Sequence, residues 1–181
     1  MQDHIRQELI SWLKTIVLTL VLVFACHTFL FTPQMVSGES MSPTYEDHNR
    51  VILSKISEID RFDTIVFQAP DADAHYIKRV IGLPGDRIEM KDDVLYINGK
   101  AYTEPYLESK KAETPFGRFT ADFTLEERTG QAEVPEGYLF VMGDNRLNSK
   151  DSRVFGCIPE DSVIGEVKFR FYPLNEIGVP K

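Results

Sequence analysis

The chain has 181 residues, a net charge of −8 and an apolar fraction of 43%, which suits one domain, or one small domain with an anchor, and supplies enough apolar side chains for a core. The acidic balance lacks the clustered Lys and Arg that phosphate binding needs, so a nucleic-acid partner is excluded. Of the two cysteines, Cys26 lies in an apolar run and Cys157 far along the polar part, so no disulfide framework and no zinc spacing exists.

Residues 1–14 form a short segment of mixed charge that includes Arg6 and Lys14. Residues 15–31 then carry no charged side chain, unless His27 is protonated. Together with the apolar residues in 9–13 this run reaches the length of about 20 residues that a bilayer span requires. Trp12 and Phe29 to Phe31 suit the two interfaces. A cleaved signal peptide has a shorter apolar region, about 7–15 residues, and ends in small residues. This run ends in Phe29-Leu30-Phe31 with Pro33 behind, so residues 15–33 are expected to be an uncleaved anchor. Arg6 and Lys14 precede the span, and no Lys or Arg follows until Arg50. The N-terminus is therefore expected in the cytoplasm and residues 34–181 outside it. His27 is read as tolerated in its neutral form.

Val36-Ser37-Gly38-Glu39-Ser40-Met41-Ser42-Pro43-Thr44 follows at once. Gly38 lets the backbone bend close to a neighbour and Pro43 stops a helix, so the stretch reads as a turn presenting Ser40. The pattern then becomes β: residues 50–54 and 63–67 are short, rich in branched residues and bounded by polar or Pro positions. In 75–83, strand alternation places Tyr76, Lys78 and Val80 on one face and Ile77, Arg79 and Ile81 on the other. Each face thus carries one cation among apolar residues, and at least one cation must lie beside a core, where it has to be paired or lose its charge.

Pro84-Gly85-Asp86 is a turn, and strands at 87–91 and 94–97 are joined through Asp92-Asp93, with a further hairpin turn at Asn98-Gly99. From 104 to 133 periodicity fades and charge, Gly and Pro rise, which predicts a surface excursion with little structure. Pro135-Glu136-Gly137 leads into a strand at 138–142, a polar turn-rich stretch follows at 143–153, and a last strand runs over 163–172. The expected fold is mainly β: one N-terminal transmembrane helix followed by a compact antiparallel, barrel-like catalytic domain.

The four His residues lack metal-ligand spacing. Asp71, Asp73 and His75 read as an acidic loop rather than a cation site, and neither a metal nor a cofactor is expected. For a Ser-His-Asp triad, neither His48, in an acidic loop, nor His75, opening a strand, is well placed. A lysine can serve Ser40 as base if burial lowers its pKa from about 10.4 towards neutrality. Lys78 is the lysine whose surroundings allow this.

Three stretches in order resemble the successive motifs of bacterial type I signal peptidases, most of all the Gram-positive, Bacillus-type branch. They are Ser40-Met41-Ser42-Pro43-Thr44 just past the anchor, Tyr76-Ile77-Lys78-Arg79-Val80-Ile81-Gly82-Leu83-Pro84-Gly85-Asp86, and Gly143-Asp144-Asn145-Arg146 with Ser149, Asp151, Ser152 and Arg153. The resemblance implies that Ser40 is the nucleophile and Lys78 the general base of a Ser/Lys dyad. Ser149 would hold the lysine amine, Asp151 would form an ion-pair cluster with Arg146 and Arg153, and Asp144 and Asn145 would shape the turn. Members of the family use the nucleophile's own N–H in the oxyanion hole, some with a serine hydroxyl two positions earlier. Here that position is Gly38, so a second donor has to be another N–H or a water, or is missing, at a cost of about 10²–10³ in rate.

The implied activity is cleavage of exported preproteins after a small-x-small motif, outside the cytoplasmic membrane. Its partners would be signal-peptide-bearing preproteins, the lipid bilayer and the secretion translocon. The substrate would bind as an added strand between segments around 35–40 and 67–80. Two rival readings are a self-cleaving Ser/Lys protease of repressor type, which the anchor and acidic charge oppose, and an anchored non-catalytic β-domain that binds envelope partners. Val36-Ser37-Gly38 is itself a small-residue site, too close to Ser40 for attack within one molecule but open to a neighbouring copy.

Overall fold

A computed structural model describes residues 2–114 and 118–180. The side chains of residues 2–5 and 25–29, Cys26 and His27 among them, lie outside the described residues. Helix α1 spans Gln2–Phe29. Within it Arg6–Phe24 has a mean hydropathy of 1.6 and is long and apolar enough to cross a membrane. Its apolar side chains from Leu9 to Phe24 are exposed on all sides, the pattern of a helix whose solvent is lipid. Thr15 and Thr19 turn their hydroxyls back onto the carbonyls of Ser11 and Thr15, which spares them an unpaired polar group there. Only Leu30 separates α1 from strand β1, Phe31–Met35. Residues 31–33, expected as the end of the anchor, are therefore strand.

β1 pairs antiparallel with β2, Arg50–Ser54. The remaining strands of the main sheet are β3 (Thr64–Gln68), β4 (His75–Gly82), β9 (Tyr138–Met142), β10 (Ile158–Pro159) and β11 (Val163–Tyr172). The antiparallel order is β1-β2-β11-β3-β4-β9-β10, so β1 is an edge and β4 lies well inside. A second sheet, of order β7-β6-β5-β8, is built from β5 (Ile88–Lys91), β6 (Val94–Ile97), β7 (Lys100–Tyr102) and β8 (Phe123–Thr124). Its two hairpins close through Asp92-Asp93, with φ of 51° and 60°, and through Asn98-Gly99, with φ of 53° and 76°. Both central residues of each loop are left-handed, the geometry that matches the strand twist.

One core lies between the sheets and includes Ile81, Ile88, Leu95, Phe123 and Phe140. A second, with Met41, Tyr45, Val51, Leu53 and Val66, sits under the turn that carries Ser40. A third gathers Ile65, Phe67, Val80 and Val141.

Residues 104–133 differ from the expected loose excursion. They contain α2 (Glu108–Glu113), β8 and α3 (Leu125–Thr129), and they bury Glu104, Leu107, Phe119, Thr120, Phe123 and Leu125. Thr124 and Glu127 form a reciprocal capping box that starts α3. These elements are too short to impose a period of two or 3.6 on the sequence, so composition alone misrepresents them.

Candidate active site

Ser40 stands on the turn that follows β1. Met41 and Tyr45 are buried beneath it, and Gly38 takes a left-handed φ of 83° that frees the turn to bend. The turn is gripped from the other side by the 143–153 loop: Asn145 donates its N–H to the Ser40 carbonyl at 3.0 Å and its Nδ2 to the Glu39 carbonyl at 3.1 Å. Gly143 makes this approach possible, since a Cβ there would overlap both the Ser40 carbonyl and the Ser149 side chain.

Lys78, on β4, reaches the same point. Its Nζ lies 2.7 Å from Ser40 Oγ and 2.9 Å from the Ile77 carbonyl, with the Tyr76 ring 5.3 Å away. Burial pushes the amine down from 10.5 to about 8, against the pull of the Asp151 and Asp144 carboxylates. Neighbouring Arg79 takes the other course and stays charged by pairing. It meets Asp144 with two hydrogen bonds, Nε to Oδ1 at 2.8 Å and Nη2 to Oδ2 at 2.6 Å, gives Nη1 to the Phe62 carbonyl, and lies 3.9 Å from the Tyr106 ring centroid. Asp144 also accepts the Thr44 hydroxyl at 2.5 Å, which ties the end of the Ser40 turn to the same carboxylate.

Of the expected cluster of Asp151 with Arg146 and Arg153, the structure brings Asp151 and Arg153 together and places Arg146 elsewhere. Asp151 is fully buried and accepts two hydrogen bonds from the Arg153 guanidinium, both 2.8 Å, one from the Arg153 N–H at 3.2 Å and one from the Gly143 N–H at 3.0 Å. Burial alone would raise its pKa; the Arg153 hydrogen bonds and charge reverse this and hold it below the usual carboxylate range. Arg146 belongs to a different pair. It is buried against Glu104, with further hydrogen bonds to the Gly143 carbonyl and Thr120. The reason lies in the chain path: the segment after β7 brings a carboxylate under Arg146, while Arg153, two residues from Asp151, already saturates that one.

Ser149 makes no hydrogen bond to the lysine amine; the Ile77 carbonyl holds the amine instead. The Ser149 hydroxyl is buried without a hydrogen bond of good geometry, although it lies near enough to Asp151 to favour the ionised carboxylate. Glu104, Tyr106 and Thr44 are the residues of this constellation that the sequence did not single out. Asp71, from the acidic loop, pairs with Lys150.

A cleft of about 250 Å³ opens beside Ser40. One wall is 34–37 at the sheet edge and the other is 74–77. Because β9 pairs with β4 only from Arg79 to Gly82, the first half of β4 is open on that side.

The model of the family described as signal peptidase, peptidase S26, matches residues 9–172, a span that takes in all of this geometry. The chain belongs to this signal peptidase family. It is 49% identical over 160 residues to signal peptidase I of Bacillus caldolyticus, covering 86% of this chain and 87% of the relative. It is 45% identical over 179 residues to signal peptidase I T of Bacillus subtilis strain 168, covering 95% and 90%. Signal peptidase IB of Staphylococcus aureus strain N315 is 40% identical over 179 residues, with 94% and 93% covered. A crystal structure of a signal peptidase I from Enterococcus faecalis V583 shares 47% identity and aligns with a TM-score of 0.60, over 61% of this chain and 97% of that one. Among signal peptidases, then, this chain has the mainly β architecture expected from its sequence, with an N-terminal apolar helix in front.

Proposed function

We propose that Ser40 and Lys78 are the nucleophile and base with which this peptidase removes signal peptides from exported preproteins. The observation that carries the assignment is the 2.7 Å contact of Ser40 Oγ with a buried amine whose pKa is pushed down to about 8. Neutral Lys78 takes the Ser40 proton as Oγ attacks the scissile carbonyl carbon. The tetrahedral oxyanion meets the Ser40 N–H, which the hydrogen bonds of the turn leave over. Protonated Lys78 then gives its proton to the departing amine, leaving an acyl-enzyme on Ser40. Lys78, neutral again, activates the water that hydrolyses the ester.

The substrate enters as an extended strand between 34–37 and 74–77, hydrogen-bonding to the edge and using side-chain pockets for selection. Walls built from Met35, Val66, Tyr76 and Ile77 leave room for small side chains before the cut, in line with a small-x-small preference.

The N-terminus lies in the cytoplasm, with residues 1–14 there, the rest of α1 in the bilayer and the catalytic domain outside, because Arg6 and Lys14 precede the uncharged run that begins at Thr15. The bilayer also serves as a resting surface for the sheet. Phe31 and Pro33 of β1, Ile52 of β2 and Phe169 of β11 share the outer face, all exposed or half-buried, starting two residues after the helix ends.

A repressor-type protease is disfavoured by α1 and the acidic charge, and a purely binding domain by a lysine buried against a serine hydroxyl. The test is cleavage of a precursor with an Ala-x-Ala site by the detergent-solubilised full chain. The wild type is expected to cut it and Ser40→Ala is not; cleavage that survives in Ser40→Ala rejects the assignment.

A further inference from the structure

The nucleophile turn has a weak point at Gly38. With a left-handed φ and no side chain, the peptide units on either side of Gly38 can rotate cheaply, yet they lie only two residues from the group that must attack. The hairpin that joins β1 to β2 supplies a clamp. Val36 donates its N–H to the Asn49 carbonyl at 2.8 Å, and its own carbonyl accepts the His48 N–H at 3.0 Å. The next donor along is the Gly38 N–H, and there the ladder changes character: its acceptor is the side chain of Asp47, Oδ1 at 2.8 Å.

His48, at a φ of 65°, and the hydrogen bond from the Asn49 N–H to the Glu46 carbonyl curl the main chain away at this point. The Asp47 carboxylate takes over where a main-chain carbonyl would have been. Its other oxygen faces His48 Nε2 at 3.2 Å. Across the turn, Asn145 holds the Glu39 and Ser40 carbonyls. The peptide units leading to Ser40 are thus held on one side by Asn145 and on the other by Asp47. The same bond commits the Gly38 N–H, so that it is not available to an oxyanion.

We propose that Asp47 is a positioning residue of the nucleophile turn: by accepting the Gly38 N–H it fixes the direction in which the Ser40 N–H and hydroxyl face the cleft. This inference rests on the assignment of Ser40 as nucleophile. The Asp47 side chain is 45% exposed, so it contributes little to global stability, and its loss is felt in the alignment of reacting atoms.

The test compares the full-length wild type with Asp47→Ala and Asp47→Asn, using kcat and KM on a peptide substrate together with thermal unfolding. In Asp47→Ala, kcat is expected to fall about tenfold to 10²-fold with KM within about twofold, while Asp47→Asn, which keeps an Oδ1 acceptor, stays within about threefold of wild type. Unchanged kcat in Asp47→Ala overturns the inference. So does an Asp47→Asn as impaired as Asp47→Ala, or a loss of kcat that merely follows the unfolded fraction. If Asp47→Ala does not fold, Asp47→Glu carries the same test, since it keeps the charge and displaces the oxygen: reduced kcat supports the inference and wild-type kcat overturns it. A wild type that cuts nothing rejects the assignment of Ser40 and the inference with it, whereas an active wild type with an unaltered Asp47→Ala rejects the inference alone.

Discussion

Lys78 and Arg79 adjoin on one strand, and each is buried, at 4% and 8% exposure. Burying an isolated cation is costly, and only two remedies exist, a partner or the loss of the proton. Arg79 cannot deprotonate and takes Asp144 as its partner. Lys78 has no carboxylate in contact, and its pKa falls to about 8. Activity should therefore rise with pH through that region as the amine becomes neutral. Lys78→Arg, which keeps the charge with a pKa above about 12, should fold and be inactive. A pH profile of kcat/KM measures the first, and substantial turnover by Lys78→Arg would reject Lys78 as the base.

Stability should follow the same group. Below pH 8 Lys78 is protonated in both the folded and the unfolded chain, so the folded state bears the whole cost of the buried ammonium. Between about 8 and 10.5 the unfolded chain holds the proton that the folded chain has released, and stability rises with pH. Relative to Lys78→Met, the wild type should gain roughly 3 kcal/mol across that window, measured by denaturant unfolding at a series of pH values. A difference that does not change with pH would show that the amine is not desolvated. The need for a remedy was legible in the alternation of residues 75–83, and so was the loss of charge at Lys78, but the partner of Arg79 was not. The partner of Arg79 lies 65 positions away, a separation that only the pairing of β4 with β9 closes.

Among the elements, β2 to β6, β9 and β11 were readable almost to their ends, because branched residues and two-residue turns such as Asn98-Gly99 mark them locally, whereas β1, taken in part for the anchor, and the short β7, β8 and β10 were not. The segment from Glu104 onward was not, because its buried residues Leu107, Phe119, Phe123 and Leu125 follow no period; the capping pair Thr124 and Glu127 was its one local sign. Its role is electrostatic as well as apolar. Arg146 has no exposed side-chain surface and Glu104 has 2%, so Glu104→Ala strands a guanidinium in the core. The expected cost is about 3–5 kcal/mol. Asp151→Ala also removes a buried partner, but Arg153 keeps 14% exposure and can turn towards water. Thermal unfolding should therefore rank Glu104→Ala below Asp151→Ala, and the opposite order would place the main electrostatic support of the 143–153 loop in the Asp151 pair.

For the molecule as a whole, three short motifs in the right order were enough to indicate the family, and the family model spans residues 9–172. The distribution of charge about α1 carries the proposed orientation, which is a property of loops and not of any packed contact. Protease added to intact protoplasts should remove the domain that follows α1. A domain fully protected until the cells are lysed would reverse the orientation and remove access to exported substrates.

The joint at Leu30 has one more consequence. The helix stops at Phe29, the sheet starts at Phe31, and the Leu30 carbonyl accepts the Lys55 N–H at 3.0 Å, so the connection between anchor and sheet contains no slack. Ser40 comes ten positions later, half of that chain already fixed in β1. On the proposed topology, anchor and sheet would work as a depth gauge, with the lipid surface as its zero mark and the serine hydroxyl as its pointer. A preprotein threaded through the same bilayer would then be read at one height, so that the spacing between its own apolar stretch and its small residues would become part of what is recognised, before any side chain enters the cleft.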